Sequence, residues 1–315
     1  LLKKLFSVVA PAFLSLAVLG GFAEVGVASP ELRWAADAES GAPFVFKDPR
    51  APQNLIGFET ELASALAEKM GRRSRPIQNN WEGLVEGLKG RNYDLAINGI
   101  EITDERSRVV SFSKPYYVTH LVLTVRQDNK TILKLSDLAG KRVGTLAASL
   151  AHRTLSEQSE PMEVVSYSEE LHAYNDLAMG RIEAVLLDEP IAKYYAGPNG
   201  KLKTLQEKIG RIEYGIAMRK EDGPMQASVA LALDELIREG RVEQILKRWA
   251  LWNEPTAATF QVPYSAPTAT PAYDDFLTEL RREHGWSAKA RRYVSFLPIL
   301  GRGALLTLAV SFVGM

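Results

Sequence analysis

Cysteine is absent from the 315-residue sequence, which excludes disulfide bonds, thiol catalysis and metal sites with cysteine ligands. An excess of charge of one sign is also absent, because 38 lysine and arginine residues balance 38 aspartate and glutamate residues. A chain without net charge has no overall attraction to nucleic acid, so any electrostatic recognition must be local. The four histidines lack the spacing of zinc ligands, and neither a Walker loop nor a G-x-G-x-x-G motif is present. The sequence therefore predicts no metal site, no cofactor and no nucleic-acid partner.

Both ends of the chain are strongly apolar. Residues 1–28 begin with Lys3 and Lys4, continue as an apolar run and reach small residues, which is the pattern of a secretory signal. An uncleaved membrane anchor is the alternative, and either one would export the rest of the chain. Residues 296–315 are also apolar, but the 13 residues from Gly303 onward are fewer than the roughly 20 that a spanning helix needs. This stretch is either a short terminal helix or the front part of a membrane segment.

Residues 31–252 show alternating strand and helix signals. The stretch LRWAAD is typical of a strand, and GFETELASALAEKMG is typical of an amphipathic helix that ends at Gly71. Such alternation with short connections predicts an α/β fold whose parallel sheets are covered by helices. Extended segments around 117–126 and 211–219 predict two lobes joined by two crossing strands. We expect lobe 1 in residues 31–118 and 216–252, lobe 2 in residues 122–211, and a Pro/Ala/Thr-rich linker in residues 253–292.

The stretch NGIEITDERSRVVSFSKPYY, residues 98–117, places an arginine where acidic residues are usual. A strand-like run ends at Gly99, and a helix begins at Thr103, so Arg106 lies in a first turn whose free N–H groups carry partial positive charge. Glycine lets a ligand approach the backbone, and a guanidinium can bind a carboxylate with two parallel hydrogen bonds. Arg106 is therefore a candidate carboxylate-binding residue. The alternative is an ion pair with a local acid.

Three further stretches follow predicted strands, where the ligands of α/β sheets bind. LAASLAHRTL places Ser149 before a helix, either beside an anion or as a plain N-cap. EAVLLDEP ends in Asp188, whose carboxylate could hold an ammonium group or stabilise a turn. NNWEGL contains Trp81, which could cover part of a ligand or pack in the core. The order of these stretches along the chain makes the combination distinctive.

Taken in this order, residues 31–252 resemble the bacterial extracellular solute-binding proteins of family 3, the receptors for polar amino acids in ABC importers. The stretch NWEGLVEGLKGRNYDLAINGIEITDERSRVVSFSKPYY is similar to the family signature W-x-x-L…T-x-x-R…F-S-x-P-Y-Y, and RIEAVLLDEP is similar to the segment with the ligand aspartate. The resemblance implies a two-lobed periplasmic-binding-protein fold of type II, with a polar or charged amino acid held between the lobes.

The resemblance also implies how the carboxylate end of the ligand is bound. Arg106 would hold the α-carboxylate, together with the second-lobe helix start at Ala148 and Ser149. Trp81 would pack over the ligand. Ala148 stands where the family usually has glycine, and Ser149 where it usually has threonine.

The ammonium end would be bound by Asp188 and by groups of the segment that comprises Gly99, Ile100 and Glu101. Glu101 stands where the family usually has serine or threonine, so it adds negative charge beside the expected ammonium site. Alternatively, Glu101 points away from the ligand or pairs with a nearby base.

The segment 37–46 lacks the aromatic residue that commonly precedes the Pro-Phe pair of the family. Asp37 and Glu39 lie in this segment, and together with Glu101 they favour a ligand with a cationic side chain. The residues expected at the site have binding roles, so the sequence predicts no catalytic residue and no enzyme.

The C-terminal stretch FLPILGRGALLTLAVSFVGM is similar to the first membrane helix of the permeases that work with these receptors. This resemblance implies a receptor–permease fusion, with residues 293–315 as the start of the permease and residues 253–292 as a tether. The expected partners are the ABC permease and its cytoplasmic ATPase. The expected location is extracytoplasmic, tethered to the inner membrane.

Two alternative functions fit the same scaffold. An enzyme such as a cyclohexadienyl dehydratase would need a general acid in the cleft, for which Glu101 or Glu39 could serve. A sensory input domain would instead be followed by a signalling module.

Overall fold

Two five-stranded sheets form the centre of the computed structural model, which describes residues 29–284 apart from Ser40. Helices cover each sheet, so the predicted two-lobed α/β fold is confirmed. The strands are β1 (Glu31–Ala36), β2 (Phe46–Asp48), β3 (Ala51–Ile56), β4 (Arg73–Gln78), β5 (Leu95–Ala96), β6 (Ser111–Phe112), β7 (Tyr117–Arg126), β8 (Arg142–Leu146), β9 (Glu163–Tyr167), β10 (Ala184–Asp188), β11 (Leu202–Tyr214) and β12 (Ala217–Met218). The helices are α1 (Phe58–Lys69), α2 (Leu84–Lys89), α3 (Asp104–Val109), α4 (Leu150–Ser156), α5 (Glu170–Ala178), α6 (Glu189–Tyr195), α7 (Gly223–Arg238), α8 (Arg241–Arg248), α9 (Glu254–Phe260) and α10 (Pro271–His284).

The first lobe contains the sheet with the strand order β4-β1-β5-β12-β6. β1 runs parallel to β4 and β5, whereas β12 comes from the far end of the chain and pairs antiparallel with β5 and β6. Helix α1 packs on this lobe because Phe58, Leu62 and Leu66 recur every four residues and are buried. Because β1 and β5 are parallel neighbours, the segments after Ala36 and Ala96 emerge at the same edge of the sheet.

The second lobe contains the sheet with the order β11-β7-β10-β8-β9. β7 pairs antiparallel with β10 and β11, and β8 runs parallel to β9 and β10. Strand β10 is an uninterrupted apolar run up to Leu187 because α4, α5 and α6 pack around it. The strand ends in the buried Asp188, next to the end of β8 at Leu146.

Two chain segments join the lobes, one between β6 and β7 and the other between β11 and β12. They are hydrogen-bonded to each other, since the Tyr116 N–H donates to the carbonyl of Tyr214 at 3.0 Å. The N–H of Gly215 donates to the carbonyl of Ile100 at 3.1 Å, which attaches one crossing to the strand end that carries predicted site residues. A paired crossing of this kind is a hinge about which two lobes can rotate.

The predicted linker, 253–292, contains two helices in its described part, α9 and α10. Asn253 caps α9, because its side-chain oxygen accepts a hydrogen bond from the Thr256 N–H at 2.9 Å. Thr256 is buried, and its hydroxyl donates to the carbonyl of Val118 in β7 at 3.2 Å. Helix α10 packs beside α8. The Pro/Ala/Thr-rich composition indicated a linker, but this part of the segment begins with a capped helix. The hydrogen bond to Val118 shows that the helix is folded against the hinge.

The apolar ends of the chain lie outside the described residues. These are residues 1–28, predicted as a leader or anchor, and residues 293–315, predicted as the start of a permease. Within residues 29–284, no helix has both the length and the hydropathy needed to cross a membrane.

A buried acid supports the end of β5 from behind. One carboxylate oxygen of Glu59, in α1, accepts hydrogen bonds from the Gly99 N–H at 2.7 Å and from the Tyr116 hydroxyl. Gly99 has a φ of +59°, and a Cβ at this position would lie 2.9 Å from the Phe44 ring, so the turn requires glycine. Burial raises the pKa of Glu59 to about 8, although both hydrogen bonds favour the charged form.

The raised pKa predicts that Glu59 makes the fold less stable at high pH. Its ordinary pKa is 4.5, so the folded state binds the proton more tightly than the unfolded state. The stabilising contribution is therefore complete below about pH 4.5 and is lost as the pH rises through about 8. Glu59→Gln removes the titration and keeps an acceptor oxygen. We expect this variant to exceed the wild type in free energy of unfolding by up to about 5 kcal/mol near pH 8.5, measured by chemical denaturation.

The matched control is Glu68→Gln, which changes an exposed acid on the same helix. This control should keep the wild-type dependence of stability on pH. A Glu59→Gln profile that runs parallel to the wild-type profile from about pH 4.5 to 8.5 would show that Glu59 does not carry the effect.

Candidate functional site

A cavity lies between the lobes, where the strand ends of both sheets meet. It is lined from the first lobe by Phe44, Trp81, Asn98, Gly99 and Glu101, and from the second lobe by Leu146, Ser149, Glu170, Leu187, Asp188 and Ile191. Its volume is about 20 Å³, whereas small-molecule pockets usually have roughly 300 Å³ or more. The lobes are therefore closed on each other, and an amino acid can enter only when they separate.

A larger cavity, of about 470 Å³, lies between the β2–β3 hairpin, α1, α8 and α10. The described residues that line it come from the first lobe and the C-terminal helices, so movement of the second lobe does not close it. Charged groups on its walls pair with one another, as Asp48 does with Arg50 at 3.4 Å and Glu61 with Arg248 at 3.5 Å. The interlobe cavity has the greater concentration of buried ionisable groups and is the better candidate site.

The Arg106 guanidinium bridges the two lobes. Thr103 caps α3 by accepting a hydrogen bond from the Arg106 N–H at 3.2 Å, and the Arg106 side chain lies over the Trp81 ring, 5.4 Å from its centroid. Nη1 donates to the carboxylate of Glu101 and, at 3.1 Å, to its backbone carbonyl. Nη2 donates to the carbonyl of Ala148 in the second lobe at 3.0 Å. The ion pair with a local acid, which was the alternative to ligand binding, is thus formed.

Glu101 places its carboxylate between Arg106 and the second lobe. One oxygen pairs with the guanidinium, and the other accepts a hydrogen bond from the Leu150 N–H, the first residue of α4, at 3.0 Å. Its side chain is only 3% exposed. The guanidinium and the helix start are the two groups expected to hold a ligand carboxylate. In this structure the Glu101 carboxylate binds both of them instead.

The turn after β8 uses its predicted residues for local structure. Ala148 has a φ of +57°, in the left-handed region that favours glycine, which accounts for the glycine expected here from the resemblance. The buried Ser149 caps α4: its hydroxyl accepts from the His152 N–H at 3.1 Å and donates to the carbonyl of Leu146 at 2.8 Å. Both hydrogen bonds are those of a plain cap, although the side chain also lines the cavity.

Trp81 joins the first lobe to the same turn. Its Nε1–H donates to the carbonyl of Ala147 at 3.2 Å. Asp37 holds Trp81 in place, because the Asp37 carboxylate accepts hydrogen bonds from the Trp81 N–H at 2.9 Å, from Gln78 Nε2 at 2.9 Å and from the Glu39 N–H at 3.0 Å. Asp37 therefore positions Trp81 and does not itself line the cavity.

Four other predicted site residues also lie outside the lining. Arg106 and Ala148 contact each other beside the cavity, whereas Glu39 and Ile100 have no such place. Glu39 is exposed and pairs with Lys47, so its charge faces solvent. Ile100 is buried in the core of the first lobe, and its carbonyl bonds the hinge at Gly215. The structure thus gives neither Glu39 nor Ile100 a contact with the cavity.

Asp188 is buried on the second-lobe side of the cavity and accepts a hydrogen bond from the Tyr214 hydroxyl. Burial raises its pKa to about 8, and the negative charge of Glu101 adds to the effect, while Tyr214 and Arg106 oppose it. A carboxylate whose charge is this poorly compensated by the protein favours a positively charged group beside it.

A residue not predicted from the sequence, Glu170, lines the cavity from the start of α5. It is 4% exposed, and no described residue donates a hydrogen bond to its Oε2. Burial raises its pKa to about 8, with further contributions from the charges of Asp37 and Asp188. Acidic residues are common in the first turn of a helix, so the sequence contains no signal that separates Glu170 from its neighbour Glu169.

Comparison with known proteins agrees with this geometry. Residues 32–251 match the family described as bacterial extracellular solute-binding proteins, family 3. The chain is 30% identical over 209 residues to the ABC transporter arginine-binding protein 1 of Escherichia coli (strain K12). This alignment covers 65% of this chain and 85% of that protein. The chain is also 30% identical over 197 residues to the L-cystine-binding protein TcyJ of the same strain, which covers 62% of this chain and 74% of that protein. These relatives are binding proteins and not enzymes.

A solved structure extends the similarity to the fold. An ancestral arginine-binding protein bound to arginine aligns with a TM-score of 0.66 and 30% identity, covering 70% of this chain and 97% of that one. The matched region includes nearly the whole two-lobed part of the chain. The chain therefore belongs to the bacterial extracellular solute-binding proteins, family 3.

Proposed function

We propose that the chain captures a zwitterionic amino acid between its lobes and delivers it to an ABC permease. The observation that carries the proposal is the placement of a guanidinium and a buried carboxyl at one interlobe cavity. Asp188 lines the cavity from the second lobe, and Arg106 of the first lobe lies beside it, paired with the lining residue Glu101. The guanidinium suits the α-carboxylate of the ligand, and Asp188 suits the α-ammonium. Trp81 lines the same cavity and offers its ring to the part of the ligand between these groups.

Ligand binding in this scheme exchanges one carboxylate for another. The carboxylate of the ligand takes the place of the Glu101 carboxylate at Arg106 and at the Leu150 N–H. Glu101 is then released toward the ammonium end, where Asp188 also lies. Polar contacts between the lobes hold the closed form both with and without a ligand. A ligand therefore shifts the hinge equilibrium only by the difference between its own binding free energy at Arg106 and that of Glu101.

The remaining parts of the proposal concern partners and location. Secretion or anchoring through residues 1–28 and attachment to a permease through residues 293–315 would place the receptor outside the cytoplasm, at the inner membrane. The permease and its cytoplasmic ATPase would complete the importer. The segment 253–292, whose helices α9 and α10 pack on the receptor, would connect it to the permease and keep it at high effective concentration there.

An enzymatic function on the same site has one observation in its favour, because carboxyls with a pKa near 8, Glu170 and Asp188, could act as general acids. The relatives are binding proteins, and the proposal predicts no turnover of prephenate or arogenate. Measurable turnover of either compound would favour the dehydratase instead.

Arg106→Ala tests the carboxylate site. Loss of the charge-assisted hydrogen bonds should weaken the binding of L-arginine about 30- to 1,000-fold, measured by isothermal titration calorimetry. Arg153→Ala is the matched control: it removes another arginine between the lobes, whose partner Glu105 is exposed, and should keep affinity within about threefold. Undiminished binding by a folded Arg106→Ala protein would refute the assignment.

Glu101→Thr tests the exchange of carboxylates. Threonine cannot pair with Arg106, so the ligand no longer competes with an internal carboxylate. We expect affinity for a neutral zwitterion, L-glutamine, to rise about tenfold or more by calorimetry, which corresponds to about 1.4 kcal/mol. A loss of affinity would mean that Glu101 contributes to binding more than it competes.

A further inference from the structure

We infer that Glu170 is the specificity-determining residue of the cavity and that it selects an amino acid with a cationic side chain. The inference deepens the proposed function and depends on it. It assigns the second positive charge of the ligand to a residue distinct from Asp37, Glu39 and Glu101, for which the sequence had suggested this role.

The position of Glu170 separates it from the other buried acids. Asp37 accepts three hydrogen bonds, and Glu101 is paired with Arg106 and the Leu150 N–H. Glu59 also has an oxygen without a donor, but it lies behind the end of β5 and does not line the cavity. Among the described residues, Glu170 alone combines burial, an oxygen without a hydrogen-bond donor and a place in the lining.

Such an oxygen requires an explanation, because buried polar groups in folded proteins nearly always have a hydrogen-bond partner. Removing an ionised carboxylate from water without a partner costs several kcal/mol. The raised pKa of Glu170 reflects the same cost. A cationic group of a ligand would supply the missing donor and offset the loss of hydration.

The balance of charge around the cavity supports a cation rather than a neutral group. Among the described residues, three carboxyls line the cavity, those of Glu101, Glu170 and Asp188, and no lysine or arginine lines it. Arg106 lies beside the cavity, where it pairs with Glu101. With a pKa of about 8, Glu170 keeps its proton at neutral pH in the empty protein, and a zwitterion with a neutral side chain brings no cation that would favour its ionisation. A basic amino acid adds one positive charge, and Glu170 is the carboxyl without a partner to receive it.

The test compares L-arginine with L-citrulline, which has the same length and shape and carries an uncharged ureido group in place of the guanidinium. The wild-type protein should bind L-arginine at least about 30-fold more tightly than L-citrulline by calorimetry at neutral pH. Glu170→Gln should lower the affinity for L-arginine by about the same factor and change that for L-citrulline less than about threefold. The discrimination between the two ligands should therefore disappear.

Glu169→Gln is the matched control, because it removes the same charge from the neighbouring residue, whose side chain is 40% exposed. It should retain the wild-type discrimination. Thermal unfolding of each variant shows that the comparison is made on folded protein, and Glu170→Gln should unfold no earlier than wild type, since it removes a buried ionisable group.

The outcomes separate this inference from the proposed function. Equal discrimination in wild type and Glu170→Gln, or tighter wild-type binding of L-citrulline, overturns the role of Glu170 while the amino-acid receptor stands. Failure of wild-type protein to bind L-arginine, L-lysine, L-glutamine or L-citrulline overturns the proposed function itself.

Discussion

The closed arrangement of this protein depends on which carboxylate the Arg106 guanidinium holds. In the structure it holds the carboxylate of Glu101, which also accepts a hydrogen bond from the first residue of α4. A guanidinium can be satisfied by any carboxylate of suitable geometry, so an amino acid can replace Glu101 without a new type of contact. In the proposed function, the same group closes the lobes and recognises the ligand.

Two other contacts between the lobes converge on one turn of the second lobe. Trp81 donates to the carbonyl of Ala147, and Arg106 donates to that of Ala148. Each group could bond to water instead when the lobes open, so each hydrogen bond contributes only about 0.5–1.5 kcal/mol to closure. A closed form held this weakly can be shifted by the affinity of a single ligand, as a receptor that must later release its cargo requires.

The fold could be predicted from the sequence, and so could the positions of two residues of the candidate site. Asp188 could be placed because it ends the apolar run of β10, and Arg106 because Thr103 marks a helix start. The pairing of Arg106 with Glu101 was only an alternative, because the sequence does not determine whether the guanidinium holds a nearby internal carboxylate or that of a ligand. Glu170 could not be found, because an acid at a helix start is explained by the helix dipole and only burial distinguishes it. Helices α9 and α10 were not predicted either, because a Pro/Ala/Thr-rich composition is typical of an unfolded linker.

A crystal structure of the complex with L-arginine tests most directly whether carboxylates exchange at the Arg106 guanidinium. The α-carboxylate of the ligand is expected about 3 Å from the Arg106 guanidinium nitrogens, with Glu101 moved off them. The guanidinium of the ligand should then lie against Glu170. A complex in which Glu101 remains paired with Arg106, and the carboxylate of the ligand lies elsewhere, would contradict the account.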